Sequence, residues 1–138
     1  MPTRSSTAQW EGDLKAGKGT MTVGKGAYTG PFSFASRFEE GTGTNPEELL
    51  AAAHAGCFSM AFSNELAKAG HTPTRVQTKA TAYLEGGTIT KFALETEATV
   101  PGLDSAKFQE IAEGAKQNCP VSKLFKGSAE ITLSAKLL

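Results

Sequence analysis

The chain has 138 residues, and its 14 lysines and arginines are balanced by 14 aspartates and glutamates. This length suits one domain, residues 1–138, with enough chain to bury a core. The zero net charge excludes the strongly basic surface typical of nucleic-acid binding, so we expect no nucleic-acid partner.

The polar N-terminal segment and the longest apolar run indicate the cellular location of the protein. Residues 1–6 lead into polar sequence and lack the apolar stretch of a signal peptide. The longest apolar run, Leu49–Phe62, is shorter than the ~20 residues that a membrane span needs. We therefore expect a cytoplasmic protein without a membrane partner. In that reducing compartment, Cys57 and Cys119 are more typical of a reactive pair than of a permanent disulfide.

Short strands separated by glycines are predicted for the first 38 residues. They are Thr7–Trp10, Thr20–Val23 and Phe32–Phe38, a β-meander pattern. In the third strand the phenylalanines alternate with other residues, so we expect Arg37 on the face opposite them.

A long helix is predicted to begin at Asn45, which can cap it, with Glu48 completing a capping box. It is predicted to end at Gly70, which gives a length of ~36 Å. Residues 49–62 are apolar or small around most of the helix, so most sides must be covered. About six strands in one chain cannot enclose such a helix, and we expect a homodimer that shares a core.

The second half of the sequence predicts a hairpin, a helix and a last strand. The hairpin strands are Val76–Leu84 and Ile89–Val100, and the helix begins at Asp104 or Ser105. Strict alternation over residues 131–137 predicts the last strand. This order indicates an α+β fold with mostly antiparallel pairing.

The two cysteines are the main candidates for chemistry. Peroxide reduction by thiols needs one cysteine that becomes a sulfenic acid and a second that resolves it as a disulfide. The alternative for Cys57 is a buried, unreactive thiol that packs as a small apolar residue. Local electrostatics favour Cys119 as the reactive thiol, because a helical turn after Pro120 could direct its amides at that sulfur. Cys57 lies about three turns inside its helix, beyond the terminal dipole.

The other candidate residues each have two interpretations. Arg37 could stabilise a Cys57 thiolate or be a solvated strand arginine. Glu47 and Glu48 fit the first turn of a helix, where carboxylates are favoured. His54 and His71 are interpreted as structural. The histidines and cysteines lack the short ligand spacings of zinc sites, so we expect no metal and no bound cofactor.

Several segments form a distinctive combination. They are Trp10–Leu14 with Gly17–Thr20, Arg37–Glu39, Gly43–Leu49 with Ala52–Met60, and Cys119–Ser122. Together they resemble the OsmC/Ohr family, and specifically its OsmC (osmotically inducible protein C) branch. The resemblance covers nearly the whole chain.

This resemblance implies a thiol-dependent peroxidase that reduces organic hydroperoxides, and hydrogen peroxide less well. It also implies an intertwined homodimer in which antiparallel sheets wrap long central helices. By position, Cys57 matches the peroxidatic cysteine and Cys119 the resolving cysteine. Arg37 matches the arginine that stabilises the thiolate, and Glu47 matches the carboxylate that holds this arginine. An external dithiol would reopen the disulfide.

Helix geometry adds a hypothesis about the site. Glu47 and Cys57 are ten residues apart, which is ~15 Å along one straight helix and on different faces. We therefore expect Arg37 and Glu47 of one subunit to complete the site around Cys57 and Cys119 of the other. Two alternatives remain: a hot-dog-like thioesterase that uses Glu47 or Glu48, and a dimer that binds an apolar ligand without catalysis.

Overall fold

The computed structural model describes all 138 residues, which divide into two compact units, Met1–Leu49 and Leu50–Leu138. The first unit contains a three-stranded antiparallel sheet in the order β1-β2-β3. The strands are β1 (Ser6–Glu11), β2 (Lys18–Val23) and β3 (Tyr28–Phe32). The predicted meander is therefore confirmed.

The predicted strand over Phe32–Phe38 is wrong beyond its first residue. The chain instead forms a short helix, α1 (Phe34–Phe38), whose cap is Ser33. The Ser36 amide donates to the Ser33 hydroxyl at 3.1 Å, and the Ser33 amide donates to the Ser36 hydroxyl at 2.8 Å. These reciprocal bonds satisfy the backbone of a helical turn locally and so compete with the strand. Arg37 consequently lies in the last turn of a helix.

The long helix is α2 (Pro46–Lys68), close to its predicted bounds. The Asn45 side-chain oxygen accepts from the Glu48 amide at 2.8 Å, which confirms the cap. The Glu48 carboxylate accepts from the Thr44 hydroxyl at 2.9 Å instead of closing the predicted capping box. Gly70 ends the helical segment with a φ of 88°, a conformation that favours glycine. Neither α2 nor any other helix has both the length and the hydropathy that a bilayer span requires.

The second unit combines most of α2 with a three-stranded mixed sheet and two further helices. Strands β4 (Arg75–Glu85) and β5 (Thr88–Thr99) form the predicted antiparallel hairpin. Strand β6 (Glu130–Leu137) pairs with β5 in parallel, whereas the other three strand pairings are antiparallel, so the expectation of mostly antiparallel pairing is confirmed. Parallel neighbours need a long crossover, and here α3 (Ser105–Asn118) and α4 (Pro120–Phe125) supply it. The α+β class is confirmed.

One side of α2 forms the core of the second unit. The fully buried Phe62 ring lies 5.5 Å from the Phe58 ring and 5.3 Å from the Phe108 ring of α3, measured between centroids. A different stripe of the helix is exposed, and its Met60 side chain keeps 77% of its accessible surface. The chain itself thus covers α2 on one side rather than on most sides.

Candidate active site

The second unit brings the two cysteine sulfurs together. Cys57 lies on α2, Cys119 lies 62 positions later in the chain, and their sulfurs are 3.1 Å apart. Both are free thiols, and the Cys119 S–H donates to the Cys57 sulfur. A disulfide bond is about 2.05 Å long, so a further approach of about 1 Å would join them. The pair is therefore placed for disulfide formation without refolding of the unit.

The backbone around Cys119 explains its fixed position. Cys119 ends α3 and caps α4, and it is fully buried. Its amide donates to the Ala115 carbonyl at 2.9 Å, and its carbonyl accepts from the Lys123 amide at 3.0 Å. Pro120 occupies the first turn of α4, where its missing N–H is not needed. The corner between two helices thus holds this thiol.

Three influences shift the pKa of the Cys57 thiol: its burial, the Val121 backbone and the neighbouring Cys119. Burial raises the pKa of the Cys57 thiol, and repulsion from an ionised Cys119 sulfur raises it further. A backbone hydrogen bond from Val121 opposes this rise by favouring the thiolate. The α4 amide that we expected beside Cys119 therefore contacts Cys57 instead. Because the pKa remains raised, these neighbours alone do not activate the thiol.

The first unit contains a close ion pair between Arg37 and Glu47. The Arg37 Nη2 atom donates to Glu47 Oε1 at 2.8 Å, and Nε donates to Oε1 and Oε2 at 3.1 and 3.3 Å. Glu47 is 8% exposed, whereas the Arg37 side chain retains 37% of its surface. Arg37 also lies over the Phe38 ring, with Cζ 5.3 Å from the centroid. The structure therefore pairs the two residues as the resemblance implies, and Arg37 is neither on a strand nor free.

Both carboxylates proposed for a thioesterase are already engaged. Glu47 accepts three hydrogen bonds from Arg37, and Glu48 accepts one from Thr44. These contacts leave some acceptor capacity, since a carboxylate has about four lone-pair sites, but they tie both side chains to neighbours within the first unit. The arrangement disfavours the thioesterase alternative.

The two histidines occupy different environments, and neither belongs to a metal-ligand cluster. His54 is fully buried, and its Nε2 atom lies 2.7 Å from the Ser122 hydroxyl. His71 is hydrogen-bonded through Nδ1 to the Pro101 carbonyl at 3.3 Å. No three His, Cys, Asp or Glu side chains are grouped as metal ligands would be. The sequence interpretation missed the contact of His54 with Ser122, although the two residues lie three positions from Cys57 and Cys119 respectively.

Comparisons with known proteins agree on one family. Residues 39–134 match the family described as OsmC-like protein. Peroxiredoxin OsmC of Escherichia coli (strain K12) is 49% identical over 139 residues, which cover 97% of this chain and 96% of that protein. The organic hydroperoxide resistance protein of Xanthomonas axonopodis pv. citri (strain 306) is 32% identical over 99 residues, 68% of each chain.

A solved structure shows the same fold. The crystal structure of an organic hydroperoxide resistance protein OsmC from Legionella pneumophila superposes with a TM-score of 0.73 at 22% identity. The match covers 99% of both chains. With the family match, the high identity to a full-length relative and the shared fold, this chain belongs to the OsmC-like protein family.

Proposed function

We propose that this chain is a thiol-dependent peroxidase that reduces organic hydroperoxides and, less efficiently, hydrogen peroxide, as part of a cellular stress defence. The 3.1 Å separation of the Cys57 and Cys119 sulfurs carries this proposal. The names of its relatives, peroxiredoxin OsmC and organic hydroperoxide resistance protein, support it. We place the protein in the cytoplasm, where the thiols remain reduced between turnovers.

In the proposed cycle Cys57 is the attacking thiol. Its thiolate attacks the distal oxygen of the hydroperoxide, the O–O bond breaks, and the leaving oxygen takes a proton and departs as an alcohol or water. The Cys119 thiol then attacks the Cys57 sulfenic acid, a disulfide forms, and water is released. An external dithiol reduces the disulfide, so the cycle uses no bound cofactor.

The first step needs a cation beside Cys57, because burial raises the pKa of this thiol. Arg37 is permanently charged and is oriented by Glu47. Glu47 and Cys57 are separated by ~15 Å of helix rise and lie on different faces of α2. In our proposal, Arg37 and Glu47 of one subunit therefore complete the site around Cys57 and Cys119 of a partner subunit in a homodimer.

The exposed stripe of α2 supports a second copy of the chain. Ala53, Gly56 and Met60 follow one another at helical spacing and are exposed. An uncovered apolar stripe on a long helix is typical of a protein interface. A symmetric dimer would bury it against the same stripe of the partner.

The proposal is tested by peroxide consumption in stopped flow, with an alkyl hydroperoxide and with hydrogen peroxide. Cys57→Ser should abolish turnover. Cys119→Ser should consume about one equivalent of peroxide per site and then stop in the presence of a dithiol. Repeated turnover by Cys119→Ser would remove its resolving role. Peroxide-independent thioester hydrolysis by a cysteine-free variant would favour the thioesterase alternative. Binding of an apolar ligand without thiol oxidation would favour the non-catalytic alternative.

A further inference from the structure

The buried hydrogen bond between His54 and Ser122 has no part in the proposed cycle. It joins α2 to α4 at a distance of 2.7 Å between Nε2 and Oγ. His54 lies one helical turn before Cys57 on α2, and Ser122 lies three residues after Cys119. The bond therefore ties together the two backbone segments that carry the sulfurs.

Aromatic packing directs the His54 ring toward α4. The ring makes edge contacts with Phe92 and Phe125, with centroids 5.5 and 5.4 Å apart. Phe125, at the end of α4, stacks on Phe92 at 4.3 Å with an interplanar angle of 3°. The middle and the end of α4 thus both contact His54, and α4 has little freedom to rotate away from α2.

If packing were its only role, a buried histidine would be less favourable at this position than an apolar residue. His54 is fully buried, and its Nδ1 atom has no hydrogen-bond partner. Burial also lowers the pKa of His54, so the ring is neutral at physiological pH. An apolar pair of similar shape would avoid the unsatisfied nitrogen and could be as stable or more stable. The polar pair therefore fixes the position of α4 relative to α2 more than it adds to the free energy of unfolding.

We propose that His54 and Ser122 are positioning residues that hold the Cys119 thiol against Cys57 and so raise its effective concentration for disulfide formation. The consequence for turnover rests on the proposed peroxidase function. A well-held Cys119 condenses with the Cys57 sulfenic acid, forming the S–S bond and releasing water. A loosened Cys119 leaves time for a second peroxide molecule to oxidise the sulfenic acid to sulfinic acid.

The decisive variant is His54→Phe combined with Ser122→Ala. It removes both polar partners together and keeps an aromatic ring between Phe92 and Phe125, so no buried group is left unpaired. Ser59→Ala is the matched control, because Ser59 also lies on α2 and donates to the Thr78 hydroxyl of β4 at 2.8 Å. Urea unfolding measures the stability of each variant. The Cys57–Cys119 equilibrium is measured in buffers of reduced and oxidised glutathione, where each protein disulfide formed yields two glutathione thiols.

We expect the double variant to unfold at the wild-type urea concentration, yet to shift the glutathione equilibrium toward the dithiol by about two- to tenfold, the range for one hydrogen bond. A tenfold shift corresponds to a reduction potential about 30 mV less negative. Ser122→Thr, which keeps the hydroxyl, and Ser59→Ala should both retain the wild-type equilibrium. Under hydroperoxide, the double variant should also accumulate more Cys57 sulfinic acid by mass spectrometry.

An unchanged equilibrium in the double variant, or an equal shift in Ser59→Ala, would overturn the positioning role. This outcome is distinct from failure of the proposed function. If the wild-type protein did not consume hydroperoxide, the glutathione equilibrium would still report whether His54 and Ser122 position the thiols.

Discussion

The ion pair between Arg37 and Glu47 leads to a quantitative prediction for the variant Glu47→Gln. The substitution keeps the shape of the side chain but removes its charge. Hydrogen bonds to charged groups contribute about 1.5–3 kcal/mol, against about 0.5–1.5 kcal/mol for neutral ones. Because the Arg37 side chain is 37% exposed, water screens part of this difference. We expect the free energy of unfolding to fall by about 1 kcal/mol.

This loss is measurable in urea at a fixed protein concentration, where it lowers the unfolding midpoint by roughly 0.5 M. If Glu47 also holds Arg37 against the partner's sulfur, the rate constant for Cys57 oxidation by an alkyl hydroperoxide should fall about fivefold for a comparable loss. The matched control is Glu97→Gln. Glu97 forms a longer surface pair with Arg75 at 3.8 Å, with exposed fractions of 42% and 62%. Surface pairs of this kind contribute little, so we expect neither quantity to change.

If Glu47→Gln matched Glu97→Gln in both stability and oxidation rate, the ion pair would have no positioning role. A loss of stability with an unchanged oxidation rate would limit Glu47 to holding the first unit together. In that case another cation would have to stabilise the Cys57 thiolate.

Three further predictions follow from buried groups. Burial lowers the pKa of His54 below its ordinary value of 6.5, so the unfolded chain binds a proton that the folded chain does not. The free energy of unfolding should therefore fall as the pH drops below about 6.5. Urea unfolding of His54→Phe should lack this part of the pH dependence. Phe62→Ala leaves a cavity beside Phe108 and should lower the free energy of unfolding by about 3–5 kcal/mol, measured by urea unfolding with Leu124→Ala as the exposed control. Val121→Pro removes an amide donor in the first turn of a helix, where proline is tolerated, so it should raise the pKa of Cys57 further. Alkylation of this thiol at neutral pH should then slow about tenfold. An unchanged rate would contradict the hydrogen bond to the sulfur.

The bounds of α2 could be predicted from the sequence because its end signals act locally. Asn45 bonds to an amide three residues away, and Gly70 adopts a positive φ that few other residues tolerate. Both effects are properties of a few neighbouring residues. Neither depends on the rest of the fold.

The segment after Phe32 could not be assigned from its alternation alone. Phenylalanines at every second position fit a strand, whereas Ser33 and Ser36 fit the reciprocal cap of a helical turn. The Ser36 hydroxyl also donates to the Thr44 carbonyl at 2.7 Å, a contact with a residue eight positions away. The helix is thus favoured by a tertiary bond that the local pattern does not contain.

The direction of β6 was not predicted, for a different reason. Alternation over Glu130–Leu137 indicates a strand but carries no information on its orientation. The helical segment between β5 and β6 was the available signal, since crossovers of this length join parallel strands. Weighing that connection would have predicted the mixed sheet.

The candidate site combines predictable and unpredictable parts. The sequence itself made Cys57, Cys119 and Arg37 candidates, but their spacing left the roles of the cysteines open. The roles of these residues and of Glu47 came from the family resemblance. Local reasoning assigned the α4 amides to Cys119, because it could not show that α2 passes the start of α4. The contact between the α4 backbone and the Cys57 sulfur depends on how α2 and α4 pack in the folded unit.

The hydrogen bond from the Val121 backbone to the Cys57 sulfur has a consequence for comparing relatives of this chain. A main-chain donor is present whatever side chain occupies position 121, with proline as the exception. A substitution at position 121 that keeps an N–H would retain the sulfur's partner, although the Val121 side chain itself packs against the core. An alignment of residue identities does not display such a main-chain contact, whereas coordinates do.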